Sequence, residues 1–151
     1  SSFEGLRSGE TLTIVDTDDV SIVARFEPAT TAPYCLDLRL GDFAGPACVD
    51  QESVFDGRTN FALPSRDGSR QLVGQIVTDL IPTVLTSDGR TITPVSNVWW
   101  DVADANSATT YVVRTIDGRT SQPLPISAGG SPTVNELDAQ LGTAPATLSD
   151  L

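Results

Sequence analysis

Histidine, lysine and methionine are absent from this 151-residue chain, and cysteine occurs only at positions 35 and 48. Each shortage excludes something. Without histidine there is no Ser-His or Cys-His nucleophile pair and no imidazole ligand for a metal. No run approaches the ~20 apolar residues of a membrane-spanning helix, so direct membrane insertion is not expected. Ser1-Ser2-Phe3-Glu4 lacks the basic start and apolar stretch of a signal peptide, which places any export signal upstream. Gly129-Gly130 runs into Ser-Pro rather than Lys-Ser or Lys-Thr, so no phosphate-cradling loop is present. Glycoside hydrolysis needs two carboxyl groups ~5–9.5 Å apart across a cleft. The acids here lie mainly in turns and nominate no such pair. The expectation is a protein that is not an enzyme and carries no cofactor.

Nine basic residues, all arginine, stand against 20 acidic ones, for a formal net charge of −11. A surface of that sign repels phosphate backbones and anionic headgroups, which disfavours nucleic acid and membrane surfaces as partners. Arginine in place of lysine, with abundant Ala, Gly, Pro, Thr, Val and Asp, fits a GC-rich coding sequence. Halophilic adaptation would bring more glutamate than the chain contains.

Cys35 and Cys48 are thirteen positions apart, with turn-formers Gly41-Asp42 and Gly45-Pro46 between them. A zinc site would need two further ligands, and a redox pair more often reads Cys-x-x-Cys. A structural disulfide tying down the excursion over 36–47 is therefore expected, which implies an extracytoplasmic, oxidising compartment. In the chain-entropy picture a loop of this length stabilises by ~3 kcal/mol.

The rest reads as strands and turns. Alternation of apolar and polar residues predicts strands over 11–15, 20–26 and 34–40. Short strands are expected over 53–55 and 59–63, and longer ones over 71–77, 83–86, 91–95, 97–102, 110–116 and 120–126. Asp-Gly occurs at Asp56-Gly57, Asp67-Gly68, Asp88-Gly89 and Asp117-Gly118, each beside β-prone residues. Asp-Gly tolerates the positive φ of tight hairpins, so these mark turns. Three of them continue as Asp-Gly-Arg-Thr, which reads as one hairpin solution used repeatedly rather than as a set of ligand loops. The fold class expected is all-β: an antiparallel β-sandwich of two sheets, immunoglobulin-like in architecture, with a short C-terminal helix or tail. Leu12, Ile14, Ile22, Leu36, Leu38, Val73, Val84, Val98 and Val113 form its predicted core.

Composition changes near residue 128, dividing a sandwich domain over 1–128 from a linker, short helix and docked tail over 129–151. Thr133-Val134-Asn135-Glu136 fits a capping box, and Val134, Leu137 and Leu141 share a helical face. With Leu148 and Leu151 they offer too few apolar side chains to order the segment alone. Docking is expected, either over an exposed tryptophan of the same chain or onto an adjacent subunit.

Four stretches within 71–125 carry a resemblance: Leu72-Val73-Gly74-Gln75-Ile76-Val77, Val84-Leu85-Thr86-Ser87-Asp88-Gly89-Arg90, Pro94-Val95-Ser96-Asn97-Val98-Trp99-Trp100 and Val112-Val113-Arg114-Thr115-Ile116-Asp117-Gly118. This region, roughly a third of the chain, resembles a β-sandwich module of extracytoplasmic envelope proteins of high-GC actinobacteria, many without an assigned function. The resemblance implies an envelope location and a sandwich fold, and it transfers no catalytic residue.

Two further features are candidate binding sites. Asp16, Asp18 and Asp19 share one turn and offer carboxylates for Ca²⁺, although the glycine and distal glutamate of an EF-hand loop are missing. Local backbone bonding by the Asp side chains is the simpler reading. Trp99 and Trp100 are neighbours in a strand and point to opposite faces, so one is expected in the core and the other exposed, where it would bind a glycan or a protein. These observations support a non-catalytic extracytoplasmic domain with an interaction or structural role. The alternatives are a self-associating surface subunit of a filament or layer, and a carbohydrate- or Ca²⁺-dependent binding module.

Overall fold

The computed structural model describes residues 6, 9–55, 59–121 and 123–125. The predicted C-terminal linker, helix and tail, and the Asp56-Gly57 turn, lie outside them. Eleven strands make three antiparallel sheets. The first is a meander of β1 (Thr11–Asp16), β2 (Val20–Phe26), β3 (Tyr34–Leu40) and β4 (Phe43–Val49), paired in chain order. The second runs β5-β6-β9, with β5 at Asn60–Pro64, β6 at Arg70–Ile76 and β9 at Val98–Asp104. The third runs β11-β10-β7-β8, with β7 at Thr83–Thr86, β8 at Thr91–Ile92, β10 at Thr110–Arg114 and β11 at Leu124–Pro125.

The all-β, sandwich-like expectation holds, and its immunoglobulin-like part is located in β5–β11. Lettered A, B, C, C′, E, F and G in chain order, these strands form A-B-E facing C′-C-F-G. That is the immunoglobulin-type arrangement with the fourth strand paired to the C-F-G sheet. The meander is a third layer, packed on the outer face of the A-B-E sheet.

Side-chain parity on the middle sheet shows why three layers form. Leu72, Ile76, Phe61, Leu63 and Val98 pack in one cluster with Ile22, Leu36, Leu38 and Leu40 of the meander. Their sequence neighbours Val73, Val77 and Trp99 pack in a second cluster with Val84, Tyr111 and Val113. A strand with cover on both faces is buried at every step, and β6 is buried from Gln71 to Ile76. Leu12 and Ile14, predicted as core, are only partly buried, because β1 is an edge strand with a bulge between Thr13 and Val15. The other predicted core residues are buried.

Gly74 is crowded by its own sheet, between β5 and β9. A Cβ added there would overlap the backbone carbonyl of Trp99 and lie 2.5 Å from Cζ of Phe61. The Phe61 ring occupies the space that a side chain on β6 would fill.

Two elements differ from expectation. The predicted strand over 53–55 is a helix, α1 (Gln51–Phe55). Asp50 caps it by accepting the Ser53 amide at 2.7 Å, and Val54 turns inward. The supposed excursion between the cysteines contains β4, hidden in the sequence by Gly45-Pro46. As an edge strand, β4 can hold a proline. Cys35 and Cys48 are direct cross-strand partners with Cα atoms 4.1 Å apart, the spacing of a non-hydrogen-bonded pair. Pro46, opposite Asp37 two positions along, has the same character, so its nitrogen faces the open edge.

Candidate functional site

The Cys35–Cys48 disulfide is formed, with Cys35 buried and Cys48 exposed. It lies on the face of the meander turned away from the core, beside the ion pair of Arg25 with Asp37 (2.9 Å).

Asp16, Asp18 and Asp19 are not brought together as ligands. Arg39 reaches over their turn instead, donating to the carbonyls of Thr17 (2.6 Å), Asp18 (3.2 Å) and Gly41 (2.9 Å). Asp19 is turned to Arg70, which grips both carboxylate oxygens at 2.7 and 2.8 Å. Those hydrogen bonds hold the Asp19 carboxyl below its ordinary range. A guanidinium thus stands on each side of the turn, and among the described residues no three Asp, Glu, His or Cys side chains converge as a metal site. The Asp19–Arg70 pair, together with Asp42–Arg66 (2.9 Å), ties hairpins of the meander to the β5–β6 hairpin.

Neither tryptophan is exposed as expected. Trp99 is fully buried, tilted against Tyr111 with ring centroids 5.0 Å apart, and its indole N–H donates to Gln75 Oε1 at 3.0 Å. Trp100 points the other way and is partly buried against the meander cluster. The pair does straddle the strand, but the third layer covers the face that a two-sheet sandwich would leave open.

The Asp-Gly turns prove to be one device. In Thr86-Ser87-Asp88-Gly89-Arg90 and in Thr115-Ile116-Asp117-Gly118-Arg119 the threonine hydroxyl donates to the aspartate carboxylate and accepts the arginine amide, at 2.8 and 2.9 Å respectively. The arginine Nε returns to the same carboxylate at 3.0 Å in both. These bonds, the threonine hydroxyl foremost, hold the Asp88 and Asp117 carboxyls below the ordinary aspartate range. Gly89 and Gly118 supply φ of 91° and 87°. The turn at Asp67 is a variant with one residue inserted; the Ser69 amide and the Ser69 and Ser65 hydroxyls hold its carboxyl at about 2.

One of these arginines does more. Arg90 extends to Asp101, bonding both oxygens at 2.7 and 2.8 Å, and Tyr111 donates its hydroxyl to the same carboxylate at 2.8 Å. Asp101 is buried in the wall of the second cluster. Burial, reinforced by that hydrogen bond, pushes the Tyr111 hydroxyl well above the usual tyrosine range. The network is satisfied internally and reads as structural.

Two concave surfaces lie elsewhere: one of about 320 Å³ between Leu40–Asp42 and the Ser65–Arg70 turn, where the Asp42–Arg66 and Asp19–Arg70 ion pairs close over it, and one at an end of the A-B-E/C′-C-F-G sandwich. The end of β6 adjoins the start of β9 (Ile76 opposite Val98), and the start of β7 adjoins the end of β10 (Thr83 opposite Arg114). That register gathers the β6–β7 loop, the β8–β9 turn and the β10–β11 turn at a single end. In variable immunoglobulin domains one end of the sandwich carries the binding loops, among them B–C and F–G. The Ile116 amide donates to the Leu80 carbonyl at 2.9 Å, fastening two of the three loops. A groove of about 360 Å³ opens between Thr78, Asp79, Ile81 and Pro82 of one loop and Thr93, Pro94, Ser96 and Asn97 of another. Val95 and Ile116, 50% and 69% exposed, are the exposed large apolar residues among those described, and both sit at this end.

The groove wall is shaped by a tight hairpin. Val95 and Val98 exchange both backbone hydrogen bonds, at 2.8 and 2.9 Å, around Ser96 and Asn97 at φ 48° and 67°. Positive φ at both central positions is the type I′ signature. The Asn97 side-chain amide donates to Asp79 at 2.8 Å, while its amide oxygen is buried without a donor. Sequence reasoning started a strand at Asn97, one residue before β9 begins, and missed this site. The available signal was Ser96-Asn97 between two valines, weaker than the Asp-Gly turns.

No family model matches the chain, and neither the curated proteins nor the solved structures contain a match to it.

Proposed function

We propose that this chain is a non-catalytic extracytoplasmic domain, secreted or of the cell envelope, whose role is interaction through the loop end of its sandwich. The observation that carries the reading is the coincidence of Val95, Ile116 and the groove on three loops gathered at one end. Solvent-exposed aliphatic side chains cost free energy in isolation and become productive when a partner covers them. The disulfide supports an oxidising compartment, and no helix among the described residues is long and apolar enough to cross a membrane.

A photo-crosslinking amino acid at position 116, in the exported protein, tests the reading against the same group at position 66, at the opposite end of β6. Crosslinks at 116 to a second polypeptide, absent at 66, are the expected result. A product of twice the chain's mass at 116 turns the reading toward a self-associating surface subunit. Equal labelling at both positions, or none at 116, overturns it.

A further inference from the structure

We propose that β9 offers its outer edge to an extended segment of a partner protein, which adds to the β5-β6-β9 sheet as a fourth strand. This surface is separate from the loop end. The partner it fits is a neutral or basic strand with an apolar residue at every second position.

The direction of each backbone group follows from the two ends of the β6–β9 ladder. The Val77 amide donates to the Asn97 carbonyl at 2.7 Å, and the Ala105 amide to the Ser69 carbonyl at 2.9 Å. Hydrogen-bonded positions alternate along an antiparallel ladder. Trp99, Asp101 and Ala103 therefore turn their N–H and C=O toward β6, and Val98, Trp100, Val102 and Asp104 turn theirs away. Val98 spends both groups on Val95, and Asp104 gives its carbonyl to the Ser107 amide. Trp100 and Val102 keep their donors and acceptors at the sheet margin, and among the described residues no strand lies beside β9 on that side.

The other edge strands are blunted. β4 turns Pro46 outward, and β5 turns Pro64 outward by the same alternation, because the Ser65 amide donates to the Arg70 carbonyl. β1 is bulged, and β8 and β11 have two residues each. Proline, bulges and shortness are the devices by which native sheets discourage strand addition. β9 has seven residues and none of these devices. Its mid-strand charge, Asp101, points to the opposite face from Trp100 and Val102 and is held there by Arg90 and Tyr111.

Side chains and charge define the partner. Trp100 and Val102 are only partly buried against the meander cluster, so residues opposite them on an added strand gain apolar contact. In an antiparallel pairing those same residues exchange the hydrogen bonds, which sets an apolar residue at every second position. The formal net charge of −11 decides against a second copy as the added strand, since like-charged chains repel, and favours a neutral or basic one.

The test uses the whole ¹⁵N-labelled protein and a synthetic strand, acetyl-Lys-Val-Thr-Val-Thr-Val-Lys-amide, beside the same peptide N-methylated at its valines. In the protein alone the Trp100 and Val102 amides should exchange with solvent about tenfold faster, or more, than those of Trp99, Asp101 and Ala103. The peptide should shift β9 resonances saturably and slow exchange at Trp100 and Val102. Its N-methylated form keeps the side chains, lacks the pairing N–H groups and should not bind at β9. Val102→Pro removes one outward donor and leaves the bonds to β6, so it should weaken the peptide about tenfold while exchange at Trp99 and Ala103 stays slow. If that variant loses protection at Trp99, the comparison of the two peptides decides alone. Equal binding of both peptides, shifts confined to residues outside β9, or no binding overturns the proposal. Slow exchange at Trp100 and Val102 in the free protein means an edge already paired, by this chain or by a second copy, and overturns it as well.

Discussion

The two faces of the β5-β6-β9 sheet are built differently although they alternate residue by residue along the same strands. The face toward the meander is apolar away from its Arg70–Asp104 end, and at Gly74 it is so close-packed that Phe61 replaces a side chain. The face toward β7 and β10 is laced with polar groups. Asn60 accepts from Gln75 at 3.2 Å, Gln75 accepts from Trp99, and Asp101 receives Arg90 and Tyr111. Apolar packing is non-directional and tolerates slip, whereas directional polar bonds fix one register, even with the Asn60 side-chain nitrogen left buried without a partner. The difference teaches that the meander is held on by shape and by peripheral ion pairs, and the sandwich by shape plus internal hydrogen bonds.

The largest effect is expected from breaking the apolar face. Gly74→Ala places a methyl against the β9 backbone at Trp99 and the β5 ring of Phe61, so a neighbouring strand must shift and Phe61 must leave its place in the meander-facing core. Overpacking costs ~1–3 kcal/mol where side chains can move and more where backbone must. We expect ~3 kcal/mol or more in denaturant unfolding, with the meander losing amide-exchange protection before β7 and β10. A loss below ~1 kcal/mol would mean that β5 and β9 do not crowd Gly74 as closely as described.

Removing the disulfide tests whether the meander depends on its own staple. The Cys35→Ala, Cys48→Ala variant should lose ~3 kcal/mol by the loop-entropy estimate. The loss should register in β3 and β4 and spare Tyr111 fluorescence quenching by its surroundings. Equal loss in both layers would erase the distinction drawn between them.

The polar face is broken by Asp101→Ala, which strands Arg90 and the Tyr111 hydroxyl. Because the Arg90 side chain is 48% exposed and can turn to water, the cost is expected at ~2 kcal/mol rather than that of a fully buried pair. The matched change Asp117→Ala, in the twin turn at the surface, should stay within about 1 kcal/mol. Near-equal effects would show that the reach of Arg90 across the sandwich contributes nothing.

The smallest effect concerns pH. Asp67 has a folded value of about 2 against ~3.9 for a free aspartate. Its contribution to stability is therefore present above the unfolded value and is lost as pH falls toward the folded one. Its carboxyl titration by ¹³C NMR should centre near 2, and Asp67→Asn should flatten acid unfolding only below about pH 4. Tyr111 acts at the other end of the scale. Its hydroxyl is raised, so its contribution is whole below the unfolded tyrosine value near ~10 and is lost as pH rises beyond it.

Much of the first sheet was legible because its strands alternate cleanly. Tyr34, Leu36, Leu38 and Leu40 point one way, and they do line the core. β4 was not legible, since Gly45-Pro46 argues for a turn unless the strand is known to lie at an edge. Nor was α1, where three apolar or small residues match a strand as well as a helical turn and only the Asp50 cap decides. The Asp67, Asp88 and Asp117 turns were read correctly as repeated hairpin chemistry. The loop-end groove was invisible because its residues come from separate turns that are neighbours only through strand register.

The sequence by itself determined that this chain forms short antiparallel strands joined by tight turns, with one disulfide. Period-two alternation, Asp-Gly pairs and a lone cysteine pair are local signals that act over a few residues. The tertiary structure alone decided that there are three layers rather than two, and with them the fate of Trp99 and Trp100. A strand's pattern states which residues dislike water on each face, but what covers that face is a contact between segments distant in the chain. For β6 and β9 both faces were apolar enough to be covered, and the meander was the segment whose own apolar face remained to be buried.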